Sequence, residues 1–176
     1  MEPSELQRFE AVVLPHVDAA YGLARYLLRN DADADDVVQE AMLRALRYFG
    51  GFRGQSGGKA WVLTIVRNTA ATWRRRWRRD ASATEFDETI HSEGVEAEHP
   101  AAELARADSR ETLAQALEGL PRELREVIVL REIEGLSYKE IGDVVDVPVG
   151  TVMSRLFRAR KRLQAALTMA TGDERR

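Results

Sequence analysis

A chain of 176 residues with 44% hydrophobic and 31% charged residues and five prolines has room for one medium or two small domains and is expected to be mainly helical. The absence of cysteine excludes disulfides and thiolate metal sites and gives no sign of secretion. No apolar run is long enough to span a bilayer and Met1 to Glu10 does not read as a signal peptide, so a cytoplasmic protein is expected.

Three helical stretches are predicted at about 6–29, 34–49 and 58–79. Asp31 to Asp36 supplies acidic residues at the start of the second, where they favour the helix dipole. On that helix Val38, Ala41, Met42, Ala45 and Phe49 make an inward stripe. Asp36, Glu40, Leu43 and Arg47 line the opposite side with Gln39 beside them. An apolar side chain inside a charged stripe fits a protein interface with an apolar anchor and a charged rim; equally, a single exposed leucine is common and carries no meaning by itself.

The third stretch divides more sharply. Val62, Val66, Ala70, Trp73 and Trp77 continue one face, while Asn68, Thr72, Arg75 and Arg79 form a stripe on the other, joined by Trp61 and Ile65. Five arginines within residues 74–79 repel one another unless an anion is near, and a nucleic-acid backbone is one. Core packing is the plainer role for at least one of the two tryptophans.

Residues 81–107 are small, polar and acidic and read as a flexible linker. From Asp80 to Asp108 the chain carries nine acidic residues against Arg106 alone, a net −8, so the rest of the chain is +5 although the whole is −3. The positive charge is concentrated at Arg74–Arg79 and Arg155–Arg162, as expected where particular faces meet phosphate.

Beyond the linker a helix is expected at about 108–118. Pro121 opens another that Gly135 closes. The stretch Ser137–Leu163 then reads as a helix-turn-helix. Ser137 and Glu140 have capping-box spacing, Asp146 stands where the turn calls for φ > 0, and Pro148 suits the first turn of the second helix. At about 100° per residue Val152, Leu156, Ala159 and Leu163 share a narrow inward face. Ser154, Phe157, Arg158 and Lys161 point away from it, with Arg155 and Arg162 on the flank. In a DNA major groove such a face offers a ring for a thymine methyl and guanidinium groups for guanine edges or phosphates.

Three segments in this order, DADDVVQEAMLRALRYFGGFRGQSG, KAWVLTIVRNTAATWRRR and LPRELREVIVLREIEGLSYKEIGDVVDVPVGTVMSRLFRARKRL, resemble the extracytoplasmic-function group of bacterial sigma factors in the sigma-70 family. The resemblance implies an all-α protein of two small helical domains, a sigma2-like helical bundle at 1–80 and a sigma4-like helix-turn-helix at 108–176, joined by the flexible acidic linker 81–107. It implies that Asp36, Gln39, Glu40, Leu43 and Arg47 dock on core RNA polymerase. Asn68, Thr72, Trp73, Arg74, Arg75 and Arg76 are implied to meet the melted −10 element. Ser154, Arg155, Phe157, Arg158 and Lys161 are implied to read the duplex −35 element. An anti-sigma factor is a further expected partner. Met153 departs from the family pattern, in which Lys or Arg is common at this position, and GQSGGKAW replaces the usual aromatic-bearing approach to the third helix.

The alternative from another class is a conventional helix-turn-helix repressor or activator dimerising on a palindrome. It needs neither the tryptophan-arginine helix nor the acidic linker. Catalysis is not expected: His16, His91 and His99 are scattered, and no phosphate-cradling glycine loop or nucleophile with a partnered base is present. No cofactor or metal is expected.

Overall fold

The computed structural model describes residues 3–81 and 101–173, so most of the linker expectation lies outside the described residues. Among the described residues there are helices and turns and no strand. The first half holds α1 (Pro3–Val13), α2 (Val17–Leu28), α3 (Asp31–Tyr48) and α4 (Gly58–Ala81). The single stretch expected at 6–29 is two helices. Pro15 lies in a 3-10 turn at Leu14–His16, because proline lacks the N–H that would continue the ladder and clashes with the carbonyl four residues back.

Arg29 ends α2 in the left-handed conformation, φ 57°, its N–H donating to the Arg25 carbonyl at 2.8 Å. Asn30 then starts α3, its side chain accepting from the Asp33 N–H at 3.0 Å. Leu23, Leu27, Val37, Val38, Leu63 and Val66 are all buried where α2, α3 and α4 meet. After α3 the chain turns through Phe49–Gly51, and Phe49 and Phe52 pack on Trp61 with ring centroids 6.0 and 4.9 Å away. Trp61 and Ile65, expected on the outward stripe of α4, are therefore half-buried against the core. Trp77, expected on the inward face, is 56% exposed and only borders a hollow beside Leu28 of α2 and Asp33 of α3.

The second half holds α5 (Ala101–Glu118), α6 (Arg122–Ile128), α7 (Tyr138–Val145) and α8 (Val149–Asp173). Helix α5 reaches back into the acidic stretch as far as Ala101. The helix opened by Pro121 passes from α6 into a π turn at Val129–Ile133, where the Glu134 N–H donates to the Val129 carbonyl at 3.0 Å, and Gly135 follows at φ 70°. One extra residue per turn re-aims the side chains that follow. Glu132 there holds Arg160 of α8 at 2.7 Å, and Glu134 holds Lys59 of α4 at 3.2 Å.

The two halves pack on each other, α4 against α7 and α2 against α6, and their apolar residues form one continuous cluster. No helix among the described residues is long and apolar enough to cross a membrane.

Candidate functional site

The helix-turn-helix forms as its local signals require. Ser137 Oγ accepts from the Glu140 N–H at 3.1 Å and the Glu140 carboxylate accepts from the Ser137 N–H at 2.7 Å, closing the capping box. Asp146 adopts φ 57° at the end of α7. A Cβ at Gly142 would lie 2.9 Å from the Val147 carbonyl oxygen, so the turn folds back tightly over a residue with no side chain. Pro148 stands just before α8 and its carbonyl accepts the first helical bonds, from Thr151 at 3.0 Å and Val152 at 3.1 Å. Replacing Ser137 by alanine is expected to cost about 1 kcal/mol, read as a fall of a few degrees in the melting temperature of the full chain.

Val152, Leu156 and Ala159 are buried and Leu163 half-buried, which pins α8 by its apolar edge. Its opposite edge is open: Phe157 is 68% exposed, and Ser154, Arg158 and Lys161 are exposed beside it. Arg155 is half-buried on the flank. The Glu132 carboxylate raises the Arg160 pKa above the usual arginine value, with Tyr138 adding to the effect. Ser154, Phe157, Arg158 and Lys161 thus form one continuous face, with Arg155 at its edge.

The six residues expected on α4 divide in two. Asn68, Arg75 and Arg76 are exposed and Thr72 half-exposed, its hydroxyl donating to the Asn68 carbonyl at 3.1 Å. Trp73 turns instead towards α2 and α3, where it lines a hollow with Leu28, Asp33, Arg74, Trp77 and Arg78. Its indole N–H is buried without a hydrogen-bond partner. Asp33 feels the indole without reaching hydrogen-bond alignment. Burial raises the Asp33 pKa, the indole works against that rise and Asp36 adds to it. Arg74 turns towards the second half of the protein, and burial followed by the charges of Arg122, Arg125 and Arg78 brings its pKa down to about 10.

On α3 the expected stripe is intact. Asp36, Gln39 and Arg47 are exposed and Leu43 is 60% exposed, while Glu40 is half-exposed and accepts from Arg44 Nε at 2.9 Å. Val38, Ala41, Ala45 and Phe49 are buried on the other side.

What the sequence reading missed lies between these faces. Arg125 is 4% exposed and donates to four carbonyls: Leu117 at 3.0 Å, Glu118 at 3.1 Å, Leu120 at 2.7 Å and Tyr26 at 3.0 Å. It closes the open end of α5 and ties it to α2. Glu126, 1% exposed, receives Arg67 of α4 at 3.2 Å. The available signal was two charges set directly against the apolar run VIVL, where the helix is covered on every side.

Comparison with known proteins follows the same division. Residues 12–80 match the family model for Sigma-70 region 2 and residues 110–163 that for Sigma-70, region 4. The chain is 37% identical over 174 residues to the RNA polymerase sigma-H factor of Pseudomonas aeruginosa, covering 95% of this chain and 90% of that protein. It is 41% identical over 138 residues to the ECF RNA polymerase sigma-E factor of Escherichia coli K12, covering 74% and 72% of the two chains. Among solved structures it is similar to the sigma factor RpoE in complex with the anti-sigma factor NepR from Bartonella quintana, with a TM-score of 0.77, 27% identity and coverage of 92% and 98%. It is also similar to CnrH in complex with the cytosolic domain of CnrY, with a TM-score of 0.63, 30% identity and coverage of 93% and 90%. A capped helix-turn-helix with a basic outer face, a separate arginine-bearing helix and these matches over both halves place the chain in the sigma-70 family, as an RNA polymerase sigma factor of the extracytoplasmic-function group.

Proposed function

We propose that the chain works in the cytoplasm as a non-catalytic subunit that binds bacterial core RNA polymerase and selects promoters through two separate DNA contacts. The observation that carries this reading is the pairing of two exposed cationic faces on different halves, Ser154–Lys161 on α8 and Asn68–Arg76 on α4. Ser154, Arg155, Phe157, Arg158 and Lys161 read the −35 duplex, with Phe157 in apolar contact and the cations on base edges and phosphates. Asn68 and Thr72 meet the unstacked −10 base, and Arg75 and Arg76 hold the strand's phosphates. Trp73 acts behind them as support, and Arg74 joins them when the halves move apart. Asp36, Gln39, Glu40, Leu43 and Arg47 dock on the polymerase, Leu43 as the apolar anchor within a charged rim.

Residues 1–80 and 108–176 serve as the two functional domains and 81–107 as their acidic connection. The solved relatives held by NepR and by CnrY support an anti-sigma partner here, on the α3 face or between the halves. A conventional repressor or activator is not favoured, since the family match covers the α4 half as well as the helix-turn-helix.

Run-off transcription with purified bacterial core polymerase on a genomic fragment library tests the assignment. New start sites are expected only when the protein is added. Specific duplex binding with no new transcripts would favour a repressor or activator. Arg155→Ala is expected to weaken −35-dependent transcription roughly tenfold, since one good base contact is worth ~1–3 kcal/mol, and to leave polymerase binding unchanged. Loss of polymerase binding in that variant would refute the division of labour between the halves.

A further inference from the structure

The outward face of α8 carries apolar surface that its cations do not explain. Val149, Met153 and Phe157 stand at successive turns of the helix and all three are exposed, Met153 at 53%. One exposed apolar residue on a helix is ordinary; three in a row beside Ser154, Arg158 and Lys161 form a stripe. Val149 begins it against the turn, where a Cβ at Gly142 would lie 3.9 Å from Val149 Cγ2. Met153 and Phe157 then border an open hollow with Tyr138, Arg160, Lys161 and Gln164. Two of these neighbours are held in place. The Arg131 guanidinium lies 4.9 Å from the Tyr138 ring centre, and Glu132 accepts from Arg160 Nε at 3.1 Å and Nη2 at 2.7 Å.

We propose that Met153 is a specificity-determining residue of this face: with Phe157 it takes the C5-methyl groups of two thymines in the −35 duplex, and it disfavours a G·C pair at its own position. This rests on the reading of α8 as the −35-facing helix, and adds to it a side chain with neither charge nor hydrogen-bond donor. In the major groove thymine presents a methyl group, whereas guanine presents two acceptors, N7 and O6. A thioether side chain covers a methyl group and adapts to its position, because it is unbranched and polarizable. Over guanine the same side chain excludes water from two acceptors and supplies a donor to neither, which costs binding. From Met153 to Phe157 the helix rises roughly 6 Å at 1.5 Å per residue, about two base steps at 3.4 Å each. The pair therefore spans neighbouring base pairs of one site.

The test uses holoenzyme assembled with purified bacterial core polymerase, on a promoter recovered by run-off from the genomic fragment library. Each thymine of its −35 element is replaced singly by deoxyuridine, which removes the methyl group and leaves the hydrogen-bonding edge intact. Run-off rates at limiting holoenzyme are expected to fall about fourfold at two of these thymines, the worth of one buried methyl group each. In Met153→Ala one of the two losses is expected to vanish and the other to remain, while Met153→Leu keeps both. Met153→Arg is expected to change the preference at that base pair from thymine to guanine. Insensitivity to deoxyuridine throughout the element overturns the proposal, and so do losses that are the same in Met153→Ala as in the wild type. Arg155→Ala separates this failure from that of the wider reading. If it weakens −35-dependent transcription while the Met153 variants change nothing, α8 still reads the duplex and Met153 is a bystander. If none of these variants alters −35 dependence, the assignment of α8 fails as well.

Discussion

Replacing Arg125 by alanine is expected to lower the unfolding free energy of the full chain by about 4 kcal/mol, among the largest effects of any single exchange. The guanidinium group satisfies carbonyls at the end of α5, in the α5–α6 connection and at Tyr26 of α2, all at once. Hydrogen bonds from a charged donor contribute ~1.5–3 kcal/mol each, and burial keeps water from replacing them. Part of that sum returns when the cavity relaxes, which is why the expected total is well below four full bonds. Urea or thermal unfolding measures it; at roughly 2–4 °C per kcal/mol for a chain of this size the melting temperature falls by about 10 °C. Arg125→Lys is expected to recover a minor part, because a single ammonium cannot span acceptors fanned around a planar fork. A loss below about 1 kcal/mol would show that the carbonyls reach solvent and that Arg125 is not the tie between α2 and α5.

The second large effect is on assembly. Asp36→Arg combined with Glu40→Arg is expected to abolish holoenzyme formation, at least a hundredfold loss in affinity for core polymerase, while the fold survives. Asp36 is exposed and Glu40 half-exposed, so neither exchange disturbs the core. The Glu40–Arg44 pair that is lost is worth only about 0.5 kcal/mol at this helical spacing. At an interface the same exchange places two cations around the Leu43 anchor where the partner presents groups matched to carboxylates, and like-charge juxtaposition costs several kcal/mol. Gel filtration or fluorescence anisotropy with core polymerase reads the loss, and duplex binding by α8 serves as the internal control. Undiminished polymerase affinity in the double variant would remove this face from the assembly.

The charges of this protein are unevenly placed along the chain. Its net charge of −3 conceals a basic pair of faces and an acidic connecting stretch, and the two halves meet where arginines outnumber carboxylates. Under the proposed reading, DNA and the protein's own second half place overlapping electrostatic demands on α4. Asn68, Arg75 and Arg76 are open to solvent, while Arg67 and Arg74 of the same helix are half-buried.

Local chemistry in the sequence was sufficient for the helices, the capping box at Ser137 and Glu140, the left-handed turn at Asp146 and the outward face of α8, because each depends on residues within a few positions of one another. The break at Pro15 was written there too, in the missing N–H. Helical periodicity assigned Trp61, Ile65 and Trp77 to the wrong faces, since it gives the angle of a side chain about its own axis and not what lies opposite. Trp61 is covered because the chain returns through Phe49 and Phe52, and Trp77 only borders the hollow beside Leu28 and Asp33. The burial of Glu126, the four-carbonyl grip of Arg125 and the turning of Arg74 away from Arg75 were decided by the packing of α6 against α2 and α4. Arg67 with Glu126 and Arg125 with Tyr26 join partners 59 and 99 residues apart, and such long-range contacts leave no periodic trace in the sequence that encodes them.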